Sequence, residues 1–251
     1  MRKILVIGIG AGDPDFLTIQ AVKALNRVDV FFVPDKGAEK AALRNLRSAI
    51  CERFVERADY RTVAIDVPQR ASSGNYQDDV DRWHAELADL YQQRFEACLS
   101  DGQVGGLLVW GDPALYDSTL RIIERVRAKG LALDYEVIPG ISSVQVLAAK
   151  HRITLNQIGE PVLLTTGRKL AEGFPDDAGS VVVMLDGTQA FARLRDANLE
   201  IFWGAHLGTP DEILIAGPLD EVKDKIATIR QEARQRHGWI MDVYLLRRAD
   251  R

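Results

Sequence analysis

The sequence predicts an α/β fold of two domains, the first built around a mostly parallel, doubly wound sheet and the second around a smaller mixed sheet. Two observations predict the first domain: short apolar runs alternate with amphipathic helical segments, and glycine-rich turns follow the runs. The second domain is predicted because several strand candidates lie between residues 161 and 247 with few helices between them. We place the boundary after residue 157, so that the domains span residues 1–157 and 158–251.

The first half of the chain alternates strands and helices. A continuous apolar run over Lys3–Ile7 predicts a strand covered on both faces, and Thr18 is the predicted N-cap of the helix that follows. Residues 29–34 predict a second strand, which a proline ends. Two amphipathic helices come next, with apolar faces formed by Leu43, Leu46, Ile50 and Phe54, and by Val80, Trp83, Leu87 and Leu90.

The alternation of strands and helices continues to about residue 150, after which predicted strands follow one another with few helices between them. Residues 105–110 predict a third buried strand, and Ser118 is the predicted cap of a helix that Gly130 ends. The segments "YEVIPG" and "SSVQVLAAK" predict a fourth strand and a helix. Further on, the helix Leu219–His237 separates the last two of five predicted strands, which are "PVLLTTG", "SVVVMLD", "EIFWGAH", "EILIAG" and "IMDVYLLR".

Composition and spacing restrict the function classes. A net charge of −4 gives no field that favours nucleic acid, and no stretch approaches the roughly 18 apolar residues of a membrane span. The two cysteines, Cys51 and Cys98, lie far apart, which argues against a disulfide framework and fits a reducing cytoplasm. No metal site is predicted, because no metal-ligand spacing relates the histidines His84, His151, His206 and His237.

Glycine-rich turns follow three of the predicted strands, and their acidic residues bear on the ligand. The turns are "GIGAGDP", "WGDPALYDS" and "IPGISS", and ligands of open α/β sheets bind beyond the carboxyl ends of the strands. Asp13 and Asp112 each stand between a glycine and a proline. A carboxylate opposes a phosphate and suits a cationic, donor-rich ligand, so these turns favour S-adenosylmethionine (SAM) over NAD.

NAD remains an alternative at this point. In its favour, Asp29 follows the glycines at about the distance of a ribose-binding acid, and Asp35 ends the second strand. Against it, the third glycine of the dinucleotide fingerprint is replaced by Asp13 with Pro14 behind it.

The order and intervals of these turns resemble one known family. "VIGIGAGDPDFLT", "VWGDPALYDS" and "VIPGISS" are similar to segments of the SAM-dependent tetrapyrrole methylases, and "LLTTG", "VVVMLDG" and "AGP" extend the similarity through most of the chain. The resemblance implies the two-domain tetrapyrrole methylase fold, SAM in the cleft between the domains, S-adenosylhomocysteine as product, and a homodimer. Ala11 departs from the family, which has a proline there.

Other segments narrow the resemblance within that family. They are similar to segments of the family members that methylate precorrin-5 at C1 and release acetate in the aerobic cobalamin pathway. This resemblance implies an anionic tetrapyrrole substrate and a cytoplasmic enzyme. Methylation at another ring carbon stays open, and a carrier that binds SAM or a tetrapyrrole without transferring a methyl group is a non-enzymatic alternative. The segments are "PDKGAEKAALRNLRSAICERF", "SGNYQDDVDRWHAEL", "RITLNQIGEPVLLTTGRKL" and "WGAHLGTPDEILIAGPL".

The resemblance also implies which residues hold the cofactor. SAM is expected to bind the backbone of Gly111, Asp112 and Ala114. It is also expected to contact the hydroxyls of Ser142 and Ser143, with Tyr116 near its methionine arm. The expected adenine contacts come from the second domain and are Met184, Leu185, Ala216 and Pro218. For Met184, Ala216 and Pro218, a core role is an equal alternative.

Loss of acetate requires a base or a polarising group for water. By their position on the turns, Asp13, Asp15, Tyr116, Asp117 and His206 are the candidates. Asp13 has an alternative role as the cap of a turn, and His206 has one as a hydrogen-bonded structural residue.

A substrate rich in carboxylates requires cations at its binding site. Lys36, Lys40, Arg44 and Arg47 recur at intervals of four, four and three, which places them on one helix face. Arg168 and Lys169 form a second candidate group. A solvated charged face is the alternative for the first group.

Overall fold

The structure is a computed structural model that describes residues 1–35, 41–70, 74, 76–195 and 198–248. Contacts between residues divide the chain into two compact units, Met1–Ser142 and Ser143–Arg251.

The first unit is built on a parallel sheet of five strands in the order β3-β2-β4-β1-β5. The strands are β1 (Arg2–Gly8), β2 (Val30–Asp35), β3 (Arg61–Asp66), β4 (Val104–Val109) and β5 (Leu133–Ile138). Helices α1 (Ile19–Leu25), α2 (Ala41–Phe54), α3 (Tyr76–Cys98) and α4 (Thr119–Ala128) connect them. Because all strands run the same way, the loops after β1, β4 and β5 emerge at one edge of the sheet.

Alternation along β1 shows why the sheet is covered on both faces. Ile4 and Val6 pack into one core cluster with residues of α3 and α4, whereas Leu5 and Ile7 pack into another with residues of α1 and α2. All four side chains are fully buried. A strand with two covered faces needs a continuous apolar run, which is the pattern found at Lys3–Ile7.

The second unit contains a mixed sheet in the order β6-β7-β10-β8-β9. Strands β6 and β7 are parallel, while β10 runs antiparallel to β7 and β8, and β8 antiparallel to β9. The elements are α5 (Ser143–His151), β6 (Val162–Thr166), α6 (Gly167–Leu170), β7 (Ser180–Met184), β8 (Leu199–Ala205), β9 (Ile213–Pro218), α7 (Leu219–His237) and β10 (Asp242–Arg248).

The predicted fold class is confirmed, with local differences. Strand β3 was not predicted, because it is an edge strand whose residues are mostly exposed and lack an apolar run. The unit division at residue 142 differs from the predicted boundary after residue 157, since α5 packs against β8, β9 and β10. Thr18 caps α1 by accepting a hydrogen bond from Ala21 N, as predicted.

Candidate functional site

The loops after β1 and β4 are joined through their backbones at the C-terminal edge of the first sheet. Gly10 N donates to Gly111 O at 3.3 Å, and Gly111 N donates to Gly10 O at 2.8 Å. Both glycines have positive φ values, 77° and 69°, which side chains rarely adopt. The pair of hydrogen bonds therefore sets the relative position of the two loops.

The loop after β5 lies against the same pair of loops, and glycines make this possible. A Cβ atom on Gly140 would fall well inside van der Waals contact with Gly111 O, and one on Gly8 would lie 2.5 Å from Gly140 N. These two glycines therefore serve the close approach of loops to one another. By contrast, the nearest atom to a Cβ on Gly111 would be Ser142 Cα at 3.8 Å, so this position borders freer space.

The Asp112 carboxylate ties two of the loops together. Its Oδ1 accepts a hydrogen bond from Ala114 N at 2.8 Å, and its Oδ2 accepts one from Gly140 N at 2.9 Å. Both oxygens thus bind backbone amides of this chain. The carboxylate was interpreted above as a feature that suits a cationic ligand, and its bonds in the structure show a loop-positioning role.

Asp13 and Asp15 also make contacts within the chain. Asp13 is the N-cap of a short 3-10 helix at Pro14–Phe16, and its Oδ1 accepts from Asp15 N at 2.9 Å. Asp15 forms an ion pair with Arg53. The alternative that Asp13 caps a turn therefore describes its observed position.

Tyr116 and Asp117 border a pocket within the first unit. The pocket has a volume of about 240 Å³, and we name it the Arg47 pocket. Tyr116 has a positive φ of 53° and a half-exposed ring, and partial burial raises the pKa of its hydroxyl. The lining residues are Pro34, Arg47, Val67, Trp83, Leu87, Tyr91, Leu107, Leu108, Val109, Tyr116, Asp117, Ser118, Thr119 and Ile122.

Helix α4 begins beside this pocket in a way that the sequence did not predict. Ser118 occupies the N-cap position, but its side chain makes no capping hydrogen bond. Asp117 Oδ1 instead accepts from Thr119 N at 2.7 Å, and Ser118 Oγ lies 2.9 Å from His84 Nε2. The predicted capping by the Ser118 hydroxyl is therefore wrong, because the buried imidazole of His84 binds that hydroxyl.

In the second unit, the turn after β7 is held by a buried polar network. Asp186 Oδ2 accepts hydrogen bonds from Tyr244 Oη at 2.6 Å and from Ala190 N at 2.7 Å. Arg230 donates to Asp186 O at 2.9 Å and forms an ion pair with Asp242, with 2.8 Å between Nε and Oδ2. Leu185, directly before Asp186, has a φ of 55° and is 66% exposed. The network therefore stabilises a strained turn that presents an apolar side chain to solvent.

His206 lies elsewhere in the second unit, next to two aromatic rings. Its ring centroid is 5.0 Å from that of His237 and 6.4 Å from that of Trp239. Burial and the neighbouring His237 lower its pKa. Its Nε2 atom is buried without a hydrogen-bond partner among the residues the structure describes. Its backbone is fixed, since His206 N donates to Met241 O at 2.9 Å.

Comparison with known proteins identifies the family. The sequence profile of the Tetrapyrrole (Corrin/Porphyrin) Methylases matches residues 3–223. The chain belongs to this family. The predicted family is thus confirmed, and the match includes all three glycine-rich loops.

Individual tetrapyrrole methylases extend the comparison to both units. The chain is 54% identical over 250 residues to a Sinorhizobium protein named precorrin-6A synthase [deacetylating], covering 99% of this chain and 96% of that protein. A crystal structure of a cobalamin synthesis related protein (CobF) from Corynebacterium diphtheriae has 42% identity and a TM-score of 0.86, covering 100% of both chains. A uroporphyrin-III C-methyl transferase from Thermus thermophilus, complexed with S-adenosyl homocysteine, has 17% identity and a TM-score of 0.59 over 97% of this chain and 91% of that one, and so shares the fold.

The structure brings several predicted cofactor residues together. Gly111, Asp112, Ala114 and Ser142 all lie where the loops after β4 and β5 meet, and Ser142 is buried. Ser143 begins α5 in the second unit. There, Met184 is half-buried at the end of β7, and Ala216 and Pro218 are exposed on the edge strand β9.

The predicted cationic groups differ in environment. Lys36 and Lys40 lie outside the described residues. Arg44 is exposed and pairs with Asp35 at 2.9 Å, whereas Arg47 is half-buried in its pocket, so the expectation that the two share one face of the helix is not met. Arg168 and Lys169 are exposed on α6, where Lys169 pairs with Glu172 at 3.1 Å.

Of the two acids that favoured NAD, Asp35 ends β2 and pairs with Arg44, whereas Asp29 has a structural role. Asp29 stands before β2, at the edge of the sheet opposite the glycine loops. Its Oδ2 accepts from Val104 N at 2.8 Å, and its Oδ1 pairs with Arg57 at 3.0 Å. An acid at that edge cannot serve a ribose bound at the carboxyl ends of the strands.

Two residues of the Arg47 pocket, Tyr91 and Arg47, lie in an environment that the sequence analysis did not predict. Tyr91 was not singled out, because it occurs in an amphipathic helix where an aromatic residue is ordinary core. Arg47 was placed in a charged face, although it lies four residues after Leu43 and three before Ile50, among apolar positions. That spacing was the signal that Arg47 faces inward.

Neither a metal-binding cluster nor a membrane-spanning helix occurs among the described residues. No group of three or more His, Cys, Asp or Glu side chains there is arranged to hold a metal ion. Within the same residues, every helix is too short or too polar to cross a membrane.

Proposed function

We propose that this chain is a SAM-dependent methyltransferase of cobalamin biosynthesis that methylates precorrin-5 at C1 and releases acetate, giving precorrin-6A. The observation that carries the proposal is the 54% identity to the deacetylating precorrin-6A synthase of Sinorhizobium, which extends over 99% of the chain. Similarity of that extent includes both units and the polar segment that precedes α3.

The proposed cofactor is SAM, which leaves as S-adenosylhomocysteine. Its proposed contacts in the first unit are the backbone of Gly111 and Ala114 and the side chains of Tyr116 and Ser142. The Asp112 carboxylate supports them indirectly, because it fixes the amides of Ala114 and Gly140. Since the sulfonium is already a good electrophile, alignment of its methyl group with the ring carbon supplies most of the rate enhancement. Met184, Leu185, Ala216 and Pro218 stay predictions for the adenine.

One experiment tests the reaction. The full chain is incubated with precorrin-5 and methyl-labelled SAM, and the products are analysed by mass spectrometry. We expect gain of one labelled methyl group and loss of the two-carbon acetyl group. Methyl gain without acetyl loss would instead indicate a C-methyltransferase acting at another ring carbon. Binding of both ligands without turnover would indicate a carrier.

A second experiment tests the cofactor loops. Calorimetry with S-adenosylhomocysteine compares wild type with Asp112→Asn, whose amide cannot accept both backbone hydrogen bonds, and with Asp101→Asn, a carboxylate that is 79% exposed. Loss of one such hydrogen bond loosens the loops, so we expect Asp112→Asn to bind S-adenosylhomocysteine about tenfold more weakly than wild type. Asp101→Asn should bind it with wild-type affinity. Equal affinities in all three proteins, or tighter binding of NAD, would count against the proposal.

We also propose that acetyl loss precedes methyl transfer, because cleavage leaves an electron pair on the ring carbon that then attacks the methyl group. A rapid-quench experiment that found a methylated, still acetylated intermediate would reverse this order. We further propose that the chain forms a homodimer and is located in the cytoplasm. Sedimentation analysis of the purified chain tests the dimer.

A further inference from the structure

The Arg47 pocket contains a guanidinium that forms no ion pair with the residues that the structure describes. Arg47 Nε donates to Leu108 O at 3.0 Å, and its Nη1 donates to Leu43 O at 3.4 Å. These bonds to neutral carbonyls fix the guanidinium, but no carboxylate among the described residues lies within ion-pair distance of it. Burial lowers the pKa of Arg47, and the charges of Tyr91 and of Asp117, which lies beyond ion-pair distance, oppose that fall. A half-buried, unpaired guanidinium is an environment that an anion would stabilise.

A second donor lines the same pocket. Tyr91 is only 4% exposed, and its ring packs edge-to-face on Phe95. Its hydroxyl has no hydrogen-bond partner within the part of the chain that the structure describes. Buried hydroxyls normally have a partner, so this one is available to an oxygen atom of a ligand.

The remaining walls define the size and polarity of that ligand. Trp83, Val109 and Ile122 supply apolar surface, and Asp117 lies at the pocket with its Oδ1 already bound to Thr119 N. A volume of about 240 Å³ accommodates a two-carbon acid together with ordered water, since one water fills about 30 Å³ of liquid. Two hydrogen-bond donors, the Arg47 guanidinium and the Tyr91 hydroxyl, face apolar side chains, which suits a group with a carbonyl at one end and a methyl at the other.

We propose that the Arg47 pocket receives the acetyl group of the substrate and then holds the departing acetate, with Arg47 and Tyr91 as the donors to its oxygen atoms. This inference rests on the proposed function. It adds the site at which the acyl group is cleaved, and it assigns Asp117 as the group that accepts a proton from the attacking water.

The proposed step balances without an oxidant or reductant. Water adds to the acetyl carbonyl carbon as Asp117 Oδ2 takes one of its protons, and Arg47 and Tyr91 stabilise the negative oxygen that forms. The bond between that carbon and the ring carbon breaks, and its electron pair stays on the ring carbon. Acetic acid forms, and it and the protonated Asp117 each release a proton to solvent, which restores the Asp117 carboxylate. The ring carbon then bonds to the SAM methyl group, and the sulfonium takes the electron pair of the broken bond.

The test measures acetate binding to the full chain independently of turnover. Saturation-transfer NMR on the acetate methyl group compares wild type with Tyr91→Phe, Arg47→Met and Arg47→Lys. The control is Arg53→Met, on the same helix, whose arginine is 52% exposed. We expect Kd to rise about tenfold for Tyr91→Phe and at least about thirtyfold for Arg47→Met, with partial recovery for Arg47→Lys and no change for Arg53→Met. Neutral acetamide should show a smaller Arg47 effect than acetate, because its carbonyl accepts a hydrogen bond but carries no charge.

Turnover separates this inference from the proposed function. With precorrin-5 and SAM, Tyr91→Phe should slow acetate release about tenfold while the affinity for S-adenosylhomocysteine stays at the wild-type value. Because Tyr91→Phe keeps the ring packing, it remains informative if Arg47→Met unfolds. Equal acetate affinity in wild type, Tyr91→Phe and Arg47→Met overturns the inference even if wild type converts precorrin-5. A wild type that binds acetate but leaves precorrin-5 unchanged overturns the proposed function instead.

Discussion

The ion pair between Arg230 and Asp242 is the most consequential buried interaction of the second unit. The side chains are 7% and 5% exposed, so both charges have left water. Arg230 makes three hydrogen bonds, two to the Asp242 carboxylate at 2.8 and 3.4 Å and one to Asp186 O at 2.9 Å. Apart from Arg230, Asp242 accepts only the indole N–H of Trp203, at 3.1 Å, among the bonds of the described residues.

Arg230→Met tests how much this pair contributes. The substitution keeps much of the side-chain volume but leaves the Asp242 carboxylate buried with the Trp203 N–H alone. Removal of one partner of a buried pair costs about 3–5 kcal/mol of unfolding free energy. For a chain of this size, that corresponds to a fall in Tm of roughly 6–20 °C. Urea unfolding monitored by tryptophan fluorescence measures the change, since Trp203 contacts the pair.

Two controls make the result specific. Arg234→Met removes an exposed cation from the same helix and should change the unfolding free energy by less than about 0.5 kcal/mol. Adding Asp242→Asn to Arg230→Met removes the unpaired charge while an acceptor for Trp203 remains. We therefore expect the double variant to recover about 2 kcal/mol relative to Arg230→Met alone.

The pH dependence gives an independent check. Burial raises the pKa of Asp242, and the hydrogen bond from Arg230 opposes that rise. Without Arg230 the pKa rises further, so the folded state binds a proton more tightly than the unfolded state and loses stability as the pH increases. Arg230→Met should therefore be more damaging at pH 8 than at pH 5. A loss below about 1 kcal/mol, or an equal loss at both pH values, would refute the reasoning.

Three other predictions follow from burial and close packing. Gly140→Ala should lower the free energy of unfolding in urea by at least about 1–3 kcal/mol, because the added Cβ would overlap Gly111 O. Gly187→Ala, where the Cβ would meet open space, should be neutral, and similar costs for the two variants would contradict the packing argument. Burial and nearby arginines lower the pKa of His84, so the unfolded chain binds its proton first and wild type should lose stability as the pH falls below about 6.5. His84→Gln should lose less, and an equal dependence of unfolding free energy on pH in the two proteins would contradict this. Burial raises the pKa of Cys51 to about 12, so its thiol should react with a disulfide reagent about a thousandfold more slowly than a free cysteine at pH 8, and rapid labelling of Cys51 would be the contrary result.

Much of the fold follows from local patterns in the sequence. The apolar run at Lys3–Ile7 is β1, the segment predicted as the helix Leu219–His237 is α7, and Gly130 ends α4. Such features are predictable because periodicity and capping depend on residues a few positions apart. Strand β3 escaped prediction because an exposed edge strand has no apolar periodicity to detect.

The candidate site was only partly predictable for the same reason. The loops at Gly111, Asp112 and Ser142 were identified from their order and composition, but the hydrogen bond from Gly140 N to Asp112 spans 28 positions. The Arg47 pocket joins α2, α3 and the loop after β4, so no short motif contains it.

By itself, the sequence determined the fold class, the family and the loops that form the edge of the first sheet. Only the tertiary structure decided which polar groups have partners: Asp112 binds amides, Asp29 lies at the opposite edge, Asp186 meets Tyr244 across 58 positions, and Arg47 forms no ion pair with any described residue. The physical reason is that secondary structure depends on near neighbours along the chain, whereas the environment of a charge depends on every element that packs around it.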